Sequence, residues 1–218
     1  MSESSTLVTQ AHFAYVAART RRDDALLRDL KAAAHEAGLP PISIAPEQAS
    51  FLQILLRLAR AKEVVEVGTL GGYSAIAMAR ALPPGGRVRT IEAEPRHADF
   101  ARAWIARSEV ADRIEVFLGK GMDVLPTFAA GSADAAFLDA DKASYPAYLK
   151  ESLRILRPGG LVMVDNAFAF GQLLDERPKD REVAAVRAFN EVMAKEAALQ
   201  SVIVPIGDGV WVGVKLPA

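Results

Sequence analysis

Three oxygen-bearing side chains follow two apolar runs of the sequence, and their chemistry suits a divalent cation. Asp139 follows the run 135–138, and Asp165 and Asn166 follow the run 161–164. Two carboxylates and an amide oxygen suit Mg²⁺ best, with Ca²⁺ or Mn²⁺ as alternatives, and the set lacks the His and Cys ligands typical of zinc. Because parallel strands end at the same edge of a sheet, two such runs would bring these side chains together. We predict a metal site here; the competing interpretation is two solvated strand ends with a turn at Asp165-Asn166.

A candidate proton acceptor lies beside this site. Lys142 follows Asp139 by three residues, where a helix is predicted to begin. A lysine next to a dication and a bound substrate could accept the proton of a phenolic hydroxyl. The alternatives are an exposed lysine or a lysine paired with Asp141, and we favour the catalytic role because of the position. Lys142 and Asp139 are therefore the predicted catalytic residues.

A glycine-rich turn connects the first predicted strand to a helix. It begins at Glu66, contains Gly68, Gly71 and Gly72, and ends at Ser74. Glycines let the backbone approach a ligand, and the helix start supplies free N–H groups, but the spacing is not the G-x-G-x-x-G of dinucleotide sites. An acid ahead of the turn suits an ammonium and a serine suits a carboxylate, which together describe the amino-acid end of S-adenosylmethionine. A packed turn with a helix-capping serine explains the pattern about as well.

Two further strand ends fit the rest of a nucleoside. Glu92 ends the second predicted strand, where an acid commonly accepts hydrogen bonds from a ribose diol. Glu94 is a competitor, but it lies further from the strand end and is better explained as a solvated loop acid. The small residues Gly119 and Gly121 after the third strand would let an adenine lie flat, although an ordinary turn explains them equally well.

The elements that position these residues alternate between strand and helix. Short β-branched runs predict strands at 63–67, 87–92, 114–118, 135–139 and 161–165, with helices around 74–81, 95–108, 122–128 and 145–156. This alternation is typical of a parallel sheet covered on both faces. Before it, residues 11–37 predict one or two helices, the stretch 38–41 breaks them, and Pro46 begins the next.

The end of the chain follows a different pattern. A helix at about 181–199 precedes strands at 202–204 and 210–214, which the tight turn Gly207-Asp208-Gly209 joins into a hairpin. The last strand must therefore run antiparallel. We predict an α/β fold with a Rossmann-like, doubly wound seven-stranded sheet and an antiparallel last strand.

Composition narrows the function classes. A length of 218 residues suggests one domain, and the net charge of −1 gives no overall attraction to nucleic acids or anionic membranes. The chain has no cysteine, so disulfides and thiolate metal sites are ruled out. The polar start carries no signal-like apolar segment and no run could span a bilayer, so we expect a soluble cytoplasmic protein without a membrane partner.

Together these motifs resemble the cation-dependent O-methyltransferases typified by catechol and caffeoyl-CoA O-methyltransferases and their small bacterial relatives. The resemblance runs from about residue 42 to 216, and its most specific pieces are residues 66–74, 139–142, 165–166 and 205–209. It implies a methyltransferase domain over 1–218 in which 1–41 is an N-terminal helical extension. It also implies S-adenosylmethionine and a divalent cation as cofactors, and a homodimer formed through the N-terminal helices.

The resemblance assigns roles by position. The cofactor contacts that it implies are Ile44, Glu66, Gly68, Thr69, Ser74, Glu92, Gly121 and Asp139. The implied metal ligands are Asp139, Asp165 and Asn166, and Lys142 matches the proton acceptor. One departure concerns the substrate: where many relatives carry a tryptophan wall, this chain has Ala169 between Phe168 and Phe170. Their rings would give a reshaped apolar wall, or would belong to the core or a dimer contact.

The predicted reaction is methylation of one hydroxyl of a small vicinal-diol aromatic. A second hypothesis is methylation of a hydroxylated nucleoside in tRNA, with Arg177, Lys179 and Arg181 at an entrance whose charge neighbouring acids dilute. A nicotinamide-dinucleotide oxidoreductase fails on the glycine spacing and leaves the acid cluster unexplained. A non-catalytic binding module remains as an alternative that only turnover would exclude.

Overall fold

The computed structural model describes residues 8–217. In chain order the helices are α1 (Gln10–Ala17), α2 (Ala25–Glu36), α3 (Pro46–Leu58), α4 (Tyr73–Ala79), α5 (Pro95–Ile105), α6 (Gly121–Val124), α7 (Tyr145–Ile155) and α8 (Val183–Lys195). The strands are β1 (Glu63–Val67), β2 (Arg87–Glu92), β3 (Ile114–Leu118), β4 (Ala133–Leu138), β5 (Leu156–Val164), β6 (Leu199–Val204) and β7 (Val210–Lys215). No helix among the described residues is long and apolar enough to cross a membrane.

The seven strands form one sheet in the order β3-β2-β1-β4-β5-β7-β6. The first five strands pair in parallel, while β7 pairs antiparallel with both β5 and β6. The predicted fold class, including the reversed last strand, is confirmed. The first three predicted strands also match the observed bounds residue for residue.

Burial on both faces explains why the strands read as continuous apolar runs. Val64 and Phe137 belong to a core on one face of the sheet, and their neighbours Val65 and Leu138 belong to a core on the other. Since successive side chains of a strand point to opposite faces, both sets of positions must be apolar. α2 to α5 supply buried residues to the first core, and α7 and α8 supply them to the second.

Several predicted bounds are wrong. β5 starts at Leu156 rather than at 161, because Pro158-Gly159-Gly160 forms an irregular stretch of the strand instead of preceding it. The predicted helix at 122–128 is a single turn, α6, followed by a 3₁₀ turn over Leu125–Thr127. Pro126 accounts for the break, since it lacks an N–H donor for a continuing helix.

The N-terminal region contains two helices rather than one. Asp24 caps α2 by accepting a hydrogen bond from Leu27 N at 3.0 Å, and α2 buries Leu27 and Leu30 in the core. α1 buries no residue. α3 begins at Pro46, as predicted, and follows the segment 40–45 that reaches over the carboxyl ends of the strands.

Candidate active site

A cavity of about 300 Å³ lies at the carboxyl edge of the first four strands. Of the predicted cofactor contacts, Ile44, Gly68, Thr69, Ser74, Glu92, Gly121 and Asp139 line it. Glu66 is the exception, since its side chain is fully buried two residues before Gly68. The topology therefore brings residues from five separate stretches of the chain around one space.

The glycine turn that forms one wall depends on Gly68. This residue has φ +102°, and a Cβ atom there would lie 2.0 Å from the carbonyl oxygen of Asp139. The turn thus packs directly on the chain that follows β4, which only a glycine permits. Leu70, two residues after Gly68 in the same turn, has φ +47°, a left-handed conformation that a leucine rarely adopts.

Glu92 holds this strained turn in place. Its Oε2 accepts hydrogen bonds from Thr69 N at 3.2 Å and Leu70 N at 2.8 Å, and its Oε1 accepts one from Glu94 N at 2.9 Å. Glu92 also faces the cavity, where ribose contact was predicted. Glu94 is exposed and caps α5, which agrees with its interpretation as a loop acid.

Glu66 is a buried carboxylate without a partner. Neither of its oxygens has a hydrogen-bond partner of normal geometry among the described residues, and its exposed fraction is 0%. Burial raises the pKa of Glu66 from 4.5 to about 8; the hydroxyls of Ser74 and Thr90 oppose this rise, and the negative charges of Asp139 and Glu92 add to it. An unpaired buried acid is costly, so this position is suited to stabilising a cation bound nearby.

The three predicted metal ligands lie at the ends of neighbouring strands. Leu138 and Val164 are register partners, so Asp139 and Asp165 follow adjacent strands, and Asp165 N donates to Leu138 O at 3.0 Å. Burial, together with the negative charge of Asp139, raises the pKa of Asp165 to about 7. No cluster of three or more His, Cys, Asp or Glu side chains suited to a metal occurs within residues 8–217, and the predicted set holds two carboxylates and one amide.

Lys142 is neither exposed nor paired with Asp141, so both alternatives considered for it are wrong. Its exposed fraction is 5%, and its Nζ donates to Asp139 Oδ1 at 3.2 Å and to Tyr145 Oη at 2.7 Å. Asp141 instead accepts a hydrogen bond from Tyr148 Oη at 2.6 Å. Lys142 therefore lies between the strand-end carboxylates and the core.

The two phenylalanines on either side of Ala169 have different surroundings. Ala169 is fully buried, and the ring of Phe168 packs on Gly209. Phe170 is 38% exposed, and its ring centroid lies 5.9 Å from Lys142 Nζ.

Sequence reasoning missed Gln48, which is buried beside the predicted metal ligands. Its Nε2 donates to Asp165 Oδ1 at 2.7 Å, and its Oε1 accepts from Ala45 N at 3.0 Å. A signal was present in the sequence: Gln48, Leu52 and Leu56 recur every four residues and form the buried stripe of α3. A polar residue on an apolar stripe requires a partner, which tertiary structure supplies here.

Tyr145 and Asp208 were also missed as site residues. Tyr145 is buried and receives the hydrogen bond from Lys142. Asp208 was noted only as part of the hairpin turn and of the matching segment 205–209, without a role of its own, yet its side chain accepts a hydrogen bond from Asn166 Nδ2 at 3.1 Å.

Comparison with known proteins agrees with this geometry. The model of the O-methyltransferase family matches residues 17–216. A catechol O-methyltransferase from Niastella koreensis is 42% identical over 196 residues, covering 88% of this chain and 86% of its own length. A catechol O-methyltransferase from Mycobacterium tuberculosis is 39% identical, with 89% and 88% covered.

Solved structures point the same way. The O-methyltransferase from Bacillus cereus in complex with SAH is 35% identical, has a TM-score of 0.85, and is aligned over 94% of this chain and 97% of its own. TomG from Streptomyces achromogenes, an O-methyltransferase in complex with SAM, is 33% identical with a TM-score of 0.83, over 95% and 96%. These matches favour neither the tRNA methyltransferase nor the oxidoreductase alternative. The chain belongs to the O-methyltransferase family, and the prediction of an S-adenosylmethionine-dependent O-methyltransferase is confirmed at the level of the enzyme class.

Proposed function

We propose that this enzyme transfers the methyl group of S-adenosylmethionine to one hydroxyl of a small vicinal-diol aromatic, in a reaction that requires a divalent cation. One observation carries the proposal: the glycine-lined cavity meets a pair of strand-end carboxylates, Asp139 and Asp165, beside the buried Lys142. A cofactor site and an oxygen-rich acceptor site thus share one edge of the sheet.

The cofactor fits the cavity chemically from end to end. Ser74 and the free N–H groups at the start of α4 suit a carboxylate, and the unpaired Glu66 beneath them suits the adjoining ammonium. Glu92 faces the cavity from β2, where a ribose diol would lie, and Gly121 leaves room for an adenine. A Cβ at Gly121 would lie 2.6 Å from the Tyr148 ring and 2.9 Å from Val67, so a larger residue does not fit at this position.

The strand-end residues also fit a hard divalent cation. The Asp139 charge raises the pKa of Asp165, which means that the two carboxylates repel each other, and Lys142 compensates only part of that repulsion. We propose that Asp139, Asp165 and the Asn166 amide oxygen would hold Mg²⁺, with Mn²⁺ or Ca²⁺ as substitutes. When bound, the cation would acidify a chelated hydroxyl and fix its direction.

The chain's own residues supply orientation and proton transfer. As a neutral amine, Lys142 can keep its two N–H groups on Asp139 and Tyr145, which fix its position, and accept the proton of a neighbouring acceptor hydroxyl on its lone pair. Phe170 offers a partly exposed ring close to that nitrogen, against which an aromatic acceptor can stack. Ala169, at the position where many relatives carry a tryptophan, is fully buried and offers no ring.

The assembly and domain proposals follow from the N-terminal half. We propose one domain over 1–218, with 1–41 as its helical extension, since α2 contributes Leu27 and Leu30 to the main core.

We also propose a homodimer through the N-terminal helices, because α1 buries nothing while Tyr15 and Val16 are exposed. Light scattering of the full chain and of a chain lacking 1–18 would test the dimer.

The test of function compares acceptors and metals. Methyl transfer from S-adenosylmethionine should be measured on a catechol, on its isomers with separated hydroxyls, and on a simple phenol, with Mg²⁺ or with EDTA. We expect a mono-O-methylated product from the catechol that disappears in EDTA and returns with Mg²⁺. Full activity in EDTA would refute the metal requirement, and equal rates on the separated-hydroxyl isomers would refute the vicinal-diol requirement.

A further inference from the structure

We propose that Asp208 is a positioning residue that orients the Asn166 amide and fixes the loop 166–171 at the acceptor side of the site. The inference rests on the proposed function, because it concerns the third predicted ligand and the aromatic wall. Asp208 lies in the β6–β7 turn, more than forty positions after Asn166 in the sequence. It is not among the residues proposed to contact the cofactor, bind the cation or accept the proton.

The Asp208 carboxylate accepts three hydrogen bonds from this loop. Oδ2 accepts from Asn166 Nδ2 at 3.1 Å and from Phe170 N at 2.8 Å, and Oδ1 accepts from Gly171 N at 3.0 Å. The backbone adds a fourth contact, since Phe168 N donates to the Asp208 carbonyl oxygen at 2.8 Å. Within the described residues this carboxylate forms no ion pair, so its bonding is directed at the loop.

The loop has a backbone that needs such support. Asn166, Ala169 and Phe170 have φ values of 64°, 53° and 60°, and Gly171 has φ 74°. Left-handed conformations of non-glycine residues cost free energy and persist only where surrounding contacts fix them. The N–H groups of Phe170 and Gly171, both in left-handed residues, converge on the one carboxylate that supplies those contacts.

The bond to Asn166 selects one of two orientations of its amide. Only the Nδ2 end of the amide can donate to a carboxylate, so Asp208 turns Oδ1 to the opposite side. Only an oxygen can bind a hard cation, so a freely rotating amide would present the wrong atom for part of the time. Asp208 therefore prepares Asn166 as a ligand before any cation arrives, as hydrogen-bond partners of metal ligands generally do.

The turn that carries Asp208 is itself fixed from both sides. A Cβ at Gly207 would lie 2.1 Å from the Gln48 side chain, and a Cβ at Gly209 would lie 2.8 Å from the Phe168 ring. Gln48 in turn donates to Asp165. One short turn thus contacts the partner of Asp165 on one side and the loop of Asn166 on the other, which explains two glycines around the aspartate.

The experiment measures Mn²⁺ binding to full-length protein saturated with S-adenosylhomocysteine, by calorimetry and by the electron-paramagnetic-resonance signal of free Mn²⁺. Asp208→Asn keeps the shape of the side chain but replaces one of its two accepting oxygens with an NH₂ group, which cannot accept from the loop. Asp208→Ala removes all three side-chain bonds. Asp175→Asn is the matched control, because Asp175 is exposed and its carboxylate makes no hydrogen bond or ion pair among the described residues.

We expect Asp208→Asn to weaken Mn²⁺ binding by roughly 10- to 100-fold, the usual effect of losing a partner of a metal ligand. S-adenosylhomocysteine affinity should stay within about twofold, since the cofactor cavity does not include Asp208. In Asp208→Ala, amide exchange at Phe170 and Gly171 should also accelerate. Asp208→Glu keeps the carboxylate and is the charge-retaining comparison. We expect it to bind Mn²⁺ with an affinity between those of wild type and Asp208→Asn. Such a partial rescue would not follow if Asp208 only stabilised the fold.

Three results overturn the inference: Asp208→Asn with wild-type Mn²⁺ affinity, Asp175→Asn with an equal loss, or Asp208→Asn whose loss of Mn²⁺ affinity is matched by an equal loss of S-adenosylhomocysteine affinity. If Asp208→Ala fails to fold, Asp208→Asn decides alone. The proposed function fails separately, through wild-type protein that binds no Mn²⁺ or that is fully active in EDTA.

Discussion

Replacing Glu66 with glutamine should stabilise the protein without cofactor and remove much of its pH dependence between pH 5 and 8. Burial raises the pKa of this carboxyl from 4.5 to about 8, because its oxygens have lost water and the nearby Ser74 and Thr90 hydroxyls offset only part of that loss. Glutamine has nearly the same shape and no charge to desolvate. The surroundings of Glu66 are suited to a bound cation, so the protein without cofactor is less stable than it would be with an uncharged side chain at this position.

The size and direction of the effect follow from the two pKa values. Between pH 4.5 and 8 the folded chain holds a proton at Glu66 that the unfolded chain has released, so stability falls as the pH rises through this window. At 1.36 kcal/mol per pKa unit, the loss reaches about 3 kcal/mol at pH 7 and about 5 kcal/mol above pH 8. For a protein of this size, about 3 kcal/mol corresponds to a melting temperature some 6–12 °C higher for Glu66→Gln than for wild type at pH 7.

The assay is urea unfolding of both proteins at intervals from pH 4.5 to 9, without cofactor. Subtracting the two curves removes the titration of every other group, including Asp165, provided that the substitution leaves them unchanged. Glu115→Gln is the control, because Glu115 is exposed on β3, which β2 separates from the strand of Glu66. A difference between wild type and Glu66→Gln that stays constant across this pH range would refute the reasoning, as would an equal effect of Glu115→Gln.

Three other predictions follow from the site. Cofactor binding at pH 7 should release up to one proton from wild type and none from Glu66→Gln, which calorimetry in buffers of different ionisation enthalpy measures; equal release from both would contradict the ammonium contact. Gly68→Ala should abolish cofactor binding or folding, since its Cβ would collide with the Asp139 carbonyl, and near-wild-type S-adenosylhomocysteine affinity would argue against this packing. Lys142→Met should lower kcat by roughly 10²–10⁴-fold with S-adenosylhomocysteine affinity retained, and a kcat within a few-fold of wild type would exclude Lys142 as the base.

The sheet could be predicted because burial on both faces leaves a pattern in the sequence. Strands such as β1 and β4 are apolar at successive positions, and the short loops after them contain the glycines and acids of the site. The reversed last strand followed from the Gly207-Asp208-Gly209 turn, which is too tight for a parallel crossover. Element ends were less predictable where proline and glycine were taken as breaks, as in β5, which continues through them as an irregular strand.

The roles of the metal-site residues remain predictions, but their placement at one sheet edge was expected from the parallel strands that the sequence indicated. What the sequence did not determine were the side chains that hold them. Gln48 bonds Asp165 across 117 positions, and Asp208 bonds Asn166 across 42. A hydrogen bond depends on distance and angle between atoms, and periodicity records only which face of an element is buried. Packing of α3 and of the β6–β7 turn against the strand ends therefore decides which polar residues become partners.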